Sequence, residues 1–285
     1  MIDYNTDFTA PKSGAQWAQA DFSDKVSLID ADRWKHLSTI KMFDAISEGK
    51  THSKEMLHNI VDEYLFKDIF QLFKAKAYVF CFSAPRANTF RNGLAQEKKY
   101  KGNRDGVEDK KYYPEKYDDM AEVYKYIRFK YTTLLYNDIE ADDLLSMLQD
   151  PEKTFIYSHD KDLKQVEGFH YNMKSHRLEY TSEEEGLRLL IRQVLKGDSA
   201  DNFGGLKGFG EKALKTFDTE TAGQSSEYLL FLTIRKFIDK FGVTNGMDTF
   251  MEMFSIASMK RPRGAYLLEK YQSAFTTVKL LIDDQ

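Results

Sequence analysis

Two neighbouring pieces of the sequence, I-E-A-D-D-L-L (Ile139–Leu145) and F-I-Y-S-H-D-K-D-L-K (Phe155–Lys164), concentrate five carboxylates. Two of these acids follow a short apolar run that predicts a β-strand, and the others open a predicted helix. Carboxylates at this density repel one another unless a cation lies between them or some take up protons. Hard divalent cations such as Mg²⁺ prefer such oxygen-rich sites. We therefore predict a multi-metal site for phosphoryl chemistry, with a solvated helix start and polar loop as the alternative. The five acids are Glu140, Asp142, Asp143, Asp160 and Asp162.

The composition excludes several classes of protein. The 285 residues allow one large domain or two small ones, and a hydrophobic content of 42% is ample for a packed core. The one cysteine, Cys81, excludes an intramolecular disulfide framework and is typical of a reducing cytoplasm. No apolar run approaches the ~20 residues of a membrane span, and the N-terminus lacks the pattern of a secretory signal. We therefore expect a cytoplasmic protein that makes no membrane contact.

Strand and helix patterns alternate through the first two thirds of the chain. This alternation predicts an α/β fold with a central, mainly parallel sheet flanked by helices. The predicted strands are Lys25–Ile29, Ala77–Phe82 and Thr154–Ser158. Helical patterns cover Ser53–Phe73, Asp118–Leu135, a helix that begins near Ala141, Leu187–Leu195, and Ser226–Asp284 with breaks at Gly242 and around Pro262.

Polar residues follow the last apolar position of each predicted strand: Asp30, Ser83 and Asp160. The carboxyl ends of parallel strands line the ligand crevice of an open sheet. We therefore expect Asp30, Asp160 and Asp162 at one edge, joined there by the acidic helix start. Asp198 and Asp201 are a further candidate pair, because acids three apart share a face if the backbone turns helically.

Residues 85–117 are basic within an acidic chain. The segment holds nine Lys and Arg and five Asp and Glu, a balance of +4, whereas the whole chain has a formal charge of −4. Tyr100, Tyr112 and Tyr113 are interleaved with the bases. Basic residues and stacking aromatics are what a phosphate backbone and unpaired bases require. The segment therefore indicates nucleic-acid binding, with an ordinary solvated charged loop as the alternative.

Glycines recur in the stretch K-G-D-S-A-D-N-F-G-G-L-K-G-F-G-E-K-A-L (Lys196–Leu214). Glycines before a helix leave backbone N–H groups accessible to a phosphate, and the helix dipole supports the anion. A lone G-x-G is usually a plain turn. The preceding acids make the stretch a stronger candidate for phosphate binding.

The blocks I-E-A-D-D-L, S-H-D-K-D-L and G-D-S-A-D-N-F-G-G-L-K-G-F-G-E-K-A together resemble the 5′-nuclease superfamily. That superfamily includes flap endonucleases, the 5′-exonuclease domains of bacterial DNA polymerases, and tailed-phage 5′-exonucleases with RNase H activity. The resemblance covers about residues 25–217 in the same order, with Y-K-G-N-R (Tyr100–Arg104) between the second strand and the acidic helix. The length and unfused state are most similar to the phage members.

The resemblance implies two carboxylate-bound divalent ions, Mg²⁺ or Mn²⁺, that activate a water for attack on a phosphodiester. Lys101 and Arg104 resemble the pair that contacts the scissile phosphate, and Asp160 has a catalytic position between the ions. The implied metal ligands are Asp30, Glu140, Asp142, Asp143, Asp160, Asp162, Asp198 and Asp201. The implied DNA contacts are Arg86, Arg91, Lys98, Lys99, Tyr100, Lys101, Arg104, Gly205, Lys207, Gly208, Gly210 and Lys212.

The resemblance also implies how the chain is divided and what it acts on. Residues 1–24 are expected to form an N-terminal arm, and residues 25–185 the catalytic α/β domain, with a helical arch at about 85–117. Residues 186–285 are expected to form a helical domain whose helix–hairpin–helix-type element, at about 187–217, binds duplex DNA and a K⁺ ion. The implied protein is a monomeric 5′-3′ exonuclease or flap endonuclease of phage DNA replication. Its expected partners are DNA with a 5′ flap or duplex end, RNA·DNA hybrid during primer removal, and replication proteins such as a single-strand-binding protein.

One residue departs from the pattern of that superfamily. Many members have Asp after the second strand, where this chain has Ser83. Either this position is dispensable here, or the first metal binds more weakly and needs a higher concentration of Mg²⁺ or Mn²⁺. The alternatives to a nuclease of this family are a PIN-like endoribonuclease and a catalytically impaired, structure-specific DNA-binding protein. The Gly204–Lys215 stretch is evidence against the first, and the surviving acids are evidence against the second.

Overall fold

The computed structural model describes residues 20–106, 111–172 and 177–259. Most of the predicted N-terminal arm, part of the basic segment and the predicted break around Pro262 lie outside the described residues. The chain divides into two compact units. Within the described residues, the sheet unit comprises 20–86, 111–160, 168–172 and 177–180. The helical unit comprises 87–106, 161–167 and 181–259.

The described part of the sheet unit contains one six-stranded sheet. The strands are β1 (Ala20–Asp30), β2 (Phe73–Phe82), β3 (Thr132–Leu135), β4 (Thr154–Ser158), β5 (Gly168–Asn172) and β6 (Arg177–Thr181). Their order is β3-β2-β1-β4-β5-β6. The pairs β1–β2, β1–β4, β2–β3 and β4–β5 are all parallel. The predicted α/β fold with a mainly parallel sheet is therefore confirmed.

The helices of the sheet unit pack around a core rich in aromatic side chains. They are α1 (Asp32–Ser47), α2 (Lys54–Leu65), α4 (Lys116–Lys130) and α5 (Ala141–Leu148). Trp34 of α1 is fully buried and stacks on Tyr157 of β4, with ring centroids 6.1 Å apart. Phe73 contacts Tyr157 and Phe155 in the same cluster. Burial of these large rings gives the sheet a rigid centre, and loops at its edge are positioned by it.

Both central strands are longer than the apolar pattern predicts. β1 begins at Ala20 rather than Lys25, since Phe22 is buried and packs 5.1 Å from Phe155, centroid to centroid. The pairing of β1 with β2 shifts register between Phe22 and Val26. That irregularity and the polar residues around it hide the first half of the strand from pattern analysis.

The helix predicted over Ser53–Phe73 is wrong at its C-terminal end. Ser53 does cap α2, because its hydroxyl accepts a hydrogen bond from Met56 N at 3.1 Å. The helix ends at Leu65, a π-helical turn covers Phe66–Phe70, and Phe73 already begins β2. The apolar residues before Phe73 keep a helical spacing, but Phe73 packs within the sheet, and this tertiary packing outweighs the local helical preference.

Three strands, β3, β5 and β6, were not predicted. The helical pattern assigned to Asp118–Leu135 ends at Lys130, and Thr132–Leu135 pairs with β2 instead. The two β-branched threonines suit a strand, but four residues are too few to show a periodicity.

In its described part, the helical unit contains the short helix α3 (Arg91–Leu94), four longer helices, and 3₁₀ turns at Gly102–Arg104 and Lys161–Gln165. The longer helices are α6 (Glu183–Lys196), α7 (Glu211–Glu220), α8 (Ser226–Phe241) and α9 (Val243–Ala257). Ser182 and Glu185 form a capping box that starts α6, and Gly242, at φ +79°, ends α8 where a break was predicted. The unit has its own core of leucine, isoleucine and phenylalanine side chains. No helix within the described ranges is long and apolar enough to span a bilayer.

Candidate active site

Asp30 and Asp160 lie together at the carboxyl edge of the sheet. Asp30 is the last residue of β1, and the residue before it, Ile29, pairs with Tyr157 of β4. Ser158, which ends β4, donates its hydroxyl hydrogen bond to Asp30 Oδ2 at 3.1 Å. The same hydroxyl accepts from Asp160 N at 3.1 Å. Parallel pairing therefore brings these two acids to one edge, as the strand pattern predicts.

Asp32 is a third acid at this edge that the sequence reasoning missed. It opens α1, and its backbone N–H donates to Asp30 Oδ1 at 3.3 Å. Its Oδ2 accepts a hydrogen bond from Ser83 N at 3.1 Å, and Lys35 Nζ lies 2.5 Å from its Oδ1. The signal was present in the sequence, because D-A-D places a second acid one residue beyond a predicted strand end.

Burial and the neighbouring acids raise the pKa of Asp30. Burial, followed by the charge of Asp32, raises the pKa of Asp30 to about 7, and Asp160 adds a smaller contribution in the same direction. Hydrogen bonds from Ser158 and from the Asp32 N–H oppose the increase. The pKa of the Cys81 thiol rises to about 12, first through burial and then through Asp30, Asp32 and Asp142. The field of Asp142 therefore reaches the same edge.

The acidic helix start is α5, as predicted. Glu140 is the residue before its first turn and is buried, Asp142 is half-buried, and Asp143 is fully buried. The Ser83 hydroxyl accepts a hydrogen bond from Ala141 N at 2.8 Å. Ser83 thus caps the N-terminus of α5 from the end of β2, which gives this departure from the family pattern a structural role.

Ser83→Ala should lower the free energy of unfolding by about 1 kcal/mol, because the Ala141 N–H loses its acceptor. Urea unfolding followed by circular dichroism measures the change. Ser83→Thr keeps the hydroxyl and is the matched control. Equal loss of stability in both variants would show that the hydrogen bond is not what Ser83 contributes.

The kind of donor at this edge suits a hard divalent cation, although the described side chains are not arranged as a metal site. Asp30, Asp32, Asp142 and Asp160 offer carboxylate oxygens, which Mg²⁺ and Mn²⁺ prefer, and a cation would offset the burial and repulsion that together raise the pKa of Asp30. Among the described residues, no group of three or more His, Cys, Asp or Glu side chains stands in an arrangement that could hold a metal ion. Asp162 lies in the 3₁₀ turn Lys161–Gln165, within the helical unit, and is half-buried.

Asp30 should make the metal-free protein less stable as the pH rises from about 4 to about 7. A carboxyl whose pKa is raised in the folded state retains its proton there while the unfolded chain has lost it, so stability falls until the pH passes the folded pKa. Asp30→Asn should therefore differ least from the wild type near pH 4 and melt several degrees higher, about 3 °C or more, near pH 8 in EDTA. Thermal melts at both pH values test this. A difference that is the same at both would contradict the assigned protonation.

Lys101 and Arg104 pair with Asp201 inside the helical unit. Lys101 Nζ lies 3.6 Å from Asp201 Oδ1, and Arg104 Nη2 lies 3.9 Å from the same atom. The Lys101 side chain is 14% exposed and that of Asp201 is 26% exposed. Lys101 Nζ also sits 4.8 Å from the ring centroid of Tyr100. Two cations that the resemblance assigns to a phosphate thus contact a carboxylate that it assigns to a metal.

The turns that carry these three residues are locked together. Hydrogen bonds join Lys101 N to Asp201 O (3.1 Å), Arg104 Nη2 to Ala200 O (3.0 Å), Asn103 Nδ2 to Ser199 O (2.5 Å) and Asn202 Nδ2 to Lys99 O (2.9 Å). Each turn contains a non-glycine residue in the left-handed region, Lys101 at φ +51° and Asn202 at φ +64°. Such strained positions persist where the surroundings enforce them, and they cluster at functional sites.

The backbone around Asp198 and Asp201 is not helical, which corrects the expectation that they share a helix face. Asp198 and Phe203 exchange backbone hydrogen bonds across a tight turn. Asp198 Oδ1 accepts from Ala200 N at 2.6 Å. A cavity of about 740 Å³ adjoins this turn within the helical unit, and its lining includes Asp198 with the bases Lys98, Lys161, Arg192 and Lys196.

The described part of the basic segment forms three short helical turns, namely Arg86–Asn88, Arg91–Leu94 and Gly102–Arg104, before α4 begins at Lys116. Two of its predicted DNA contacts are buried. Arg91 is 3% exposed and donates to the carbonyls of Ile256 and Ser258, so it serves the core of the helical unit. Tyr100 is also 3% exposed, so its ring supports Lys101 and is not offered to a base. Arg86, Lys98, Lys99 and Arg104 are exposed.

The glycine-rich stretch forms the connection between α6 and α7. Gly205 lies at φ +63° against the backbone of Gly197, where an added Cβ would meet Gly197 N at 2.2 Å. Its lack of a side chain therefore serves backbone packing, and the phosphate contact at this position stays a prediction. Gly208 and Gly210 have open space beside them, and Gly210 directly precedes α7. Lys207 and Lys212 are exposed near them.

Comparisons with known proteins agree with this fold. No protein-family model matches the chain, and no curated protein matches it. The T5 D15 protein, co-crystallised with metal ions, superposes with a TM-score of 0.54 at 14% identity, over 91% of this chain and 94% of that one. A bacteriophage T5 D15 flap endonuclease in a complex with DNA and metal ions gives a TM-score of 0.48 at 13% identity, over 82% and 99%. The catalytic core of Rad2 in complex with DNA substrate gives 0.41 at 16% identity, over 88% and 78%.

The match to the T5 D15 protein shows the fold of this chain. That fold agrees with the resemblance of the acidic and glycine-rich motifs to the 5′-nuclease superfamily. Identity of 14% leaves the roles of individual residues to be argued from this chain's own contacts.

Proposed function

We propose that the protein is a divalent-metal-dependent 5′-nuclease that hydrolyses phosphodiester bonds near the 5′ ends and flaps of DNA. The observation that carries the proposal is the convergence of Asp30, Asp32 and Asp160 at the carboxyl edge of the sheet, where burial, and after it the charges of Asp32 and Asp160, raise the pKa of Asp30 to about 7. A strongly shifted pKa within a cluster of acids is typical of functional sites. The fold match to a protein co-crystallised with metal ions supports this reading.

In this proposal the acids at the sheet edge bind the divalent cations, Mg²⁺ or Mn²⁺. Asp30, Asp142 and Asp160 would supply ligands, with Asp32 as an addition that this chain's own contacts suggest. When bound, the cations supply Lewis-acid stabilisation of charge on the phosphate oxygens. The Ser158 hydroxyl orients two of the acids at once, since it donates to Asp30 and accepts from the Asp160 N–H. From the motif resemblance, Lys101 and Arg104 would supply positive charge to the phosphate.

Duplex DNA would bind along the connection between α6 and α7. Lys207 and Lys212 are exposed there, and Gly208 and Gly210 leave the backbone before α7 accessible. Phosphates bind readily at such helix N-termini. Lys98 and Lys99 extend the positive surface in the helical unit. From the motif resemblance, a K⁺ ion would bind at the connection between α6 and α7. Arg91 and Tyr100 are left out of the DNA contacts because they are buried.

The finer features of the proposal rest on the motif resemblance. They are removal of RNA primers from RNA·DNA hybrid, a role in phage DNA replication alongside a single-strand-binding protein, and action as a monomer.

Cleavage of a 5′-labelled flap duplex in Mg²⁺, beside a blunt duplex and an RNA-primed duplex, tests the proposed function. We expect cleavage of the flap that stops in EDTA. Products one nucleotide long would identify an exonuclease, and release of the intact flap a flap endonuclease. Flap binding without cleavage in Mg²⁺ or Mn²⁺ would favour the DNA-binding alternative, and cleavage of single-stranded RNA alone would favour the endoribonuclease.

A further inference from the structure

A cavity of about 490 Å³ in the helical unit is lined by the loop before α7, by α7 itself and by Lys236 of α8. Gly208, Gly210 and Lys212 are exposed parts of its lining, so the cavity opens to solvent. Lys236 lies beyond residues 25–217, the part of the chain that the motif resemblance covers, and the resemblance therefore gives it no role. The function of this lysine has to be argued from its own contacts.

Two aromatic rings set the position of Lys236. Its Nζ lies 5.6 Å from the ring centroid of Phe209 and 5.5 Å from that of Phe217. The two rings are 6.2 Å apart, with 79° between their planes, so the ammonium sits in the corner that they form. Each ring face attracts the cation through its quadrupole. The rings thus hold the charge at the wall of the cavity and restrict its motion in solvent.

Lys236 makes no ion pair and no hydrogen bond within the described part of the chain. Its neighbour Arg235, by contrast, pairs with Asp239 at 2.8 Å. Glu220 lines the same cavity as Lys236 without pairing with it. An ammonium carries three N–H donors, and ring faces attract its charge without supplying oxygen acceptors for those donors. A half-buried ammonium in this state attracts an anion that enters the cavity.

We infer that Lys236 and Lys212 form a phosphate-binding site in this cavity, and that the ligand is a phosphate of duplex DNA. Phosphate is the anion that duplex DNA brings to the connection between α6 and α7, and its oxygens accept hydrogen bonds from two ammonium groups. The open space beside Gly208 and Gly210 lets the phosphate approach the backbone. This inference rests on the proposed function for the identity of the ligand, and it adds a residue of α8 to the duplex contacts.

Duplex binding in EDTA, measured by fluorescence anisotropy at several salt concentrations, tests the site. Lys236→Met keeps an apolar stem against Phe209 and Phe217 but removes the charge. At about 0.1 M salt the variant should bind a blunt duplex about three- to tenfold more weakly, and the plot of log affinity against log salt should become shallower by about 0.9, the share of one phosphate contact. Weaker binding with an unchanged slope would show that Lys236 only packs against the rings, and would overturn the site.

Lys240→Met is the matched control, because Lys240 is an exposed lysine one helical turn further along α8. The control removes the same charge from the same helix and should leave the affinity within about twofold of the wild type. An equal loss in Lys240→Met would reduce Lys236 to a contribution to net charge and overturn the site. Lys236→Arg keeps a cation over the rings and should keep the wild-type slope. Loss of slope in the arginine variant would contradict a role through charge.

A single strand of the same length distinguishes the two forms of DNA that could supply the phosphate. Lys236→Met should change the affinity for the single strand by less than about twofold, because the site belongs to the path of the duplex along the connection between α6 and α7. A loss as large as that for the duplex would assign the site to the unpaired flap and overturn the assignment to duplex DNA.

Folding of the variants and the proposed function are checked separately. Melting temperatures show whether each variant is folded, and Lys236→Gln, with the same expected loss of slope, replaces Lys236→Met if the latter unfolds. The binding measurements do not use cleavage. A wild-type chain that binds duplex DNA and cleaves no flap would contradict the proposed nuclease, while the salt slopes would still decide the site. A wild-type chain that binds no duplex would overturn both.

Discussion

Asp160→Ala should slow cleavage of a 5′ flap by about a thousandfold or more, because loss of a cation ligand removes several kcal/mol of stabilisation from the transition state. Affinity for the flap should stay within about threefold, since DNA binding depends mainly on bases that contact phosphates. Asp160 is exposed at the end of β4, so its removal leaves the core intact. Single-turnover cleavage and anisotropy measure the two quantities.

Glu152→Ala is the matched control for this prediction. Glu152 is an exposed acid just before β4, at the opposite end of the strand from Asp160. Its loss removes the same charge from the same unit and should leave the cleavage rate within about twofold. Cleavage by Asp160→Ala at a rate near that of the wild type would refute the assignment of the acidic edge as the reaction centre.

Gly205→Ala should destabilise the folded chain by about 3 kcal/mol or more, since two penalties act at one position. The residue lies at φ +63°, in the left-handed region that a side chain disfavours. The added Cβ would also lie 2.2 Å from Gly197 N and 2.4 Å from the Lys196 carbonyl carbon. Both contacts are backbone, so relief requires the connection between α6 and α7 to shift.

Gly204→Ala is the neighbouring control. Its Cβ would meet only Lys98 Nζ, at 3.9 Å, which is an ordinary contact with the end of a flexible side chain. Its cost should be no more than about 1 kcal/mol in urea unfolding. Similar stability of the two variants would mean that Gly205 is not the packing position described here.

The fold was predictable because its central features repeat a simple pattern. Buried parallel strands read as short apolar runs, and Thr154–Ser158 matched β4 at both ends. Edge strands lack that signal: β3 has only four residues, and half-exposed positions interrupt it. The π-helical turn at Phe66–Phe70 was also invisible, because the apolar spacing runs through it without a break.

The candidate site was predictable to the extent that topology determines it. Parallel strands bring their carboxyl ends to one edge, so the proximity of Asp30 and Asp160 followed from order along the chain. Partnerships that depend on side-chain direction did not follow. The cap from Ser83 to Ala141, the approach of Asp32, and the pairing of Lys101 with Asp201 join residues from separate segments of the chain.

Burial was the least predictable property of the basic segment. Arg91 and Tyr100 suit a nucleic-acid surface by residue type, yet both are inside the helical unit. The buried Arg91 guanidinium donates hydrogen bonds to two backbone carbonyls, which offset its loss of contact with water. Composition alone does not reveal such hydrogen bonds. Charge counts along a segment therefore overestimate how much of its charge reaches the surface.

The thiol of Cys81 is fully buried at the sheet edge, and its pKa is raised to about 12 by burial and by the neighbouring acids. At neutral pH almost none of it is thiolate, the form that reacts with disulfide reagents and alkylating agents. Such reagents can modify the folded chain only when the end of the strand that carries Cys81 opens. Because Cys81 is the one cysteine in the sequence, the rate of its modification measures how often the acidic edge of the sheet opens.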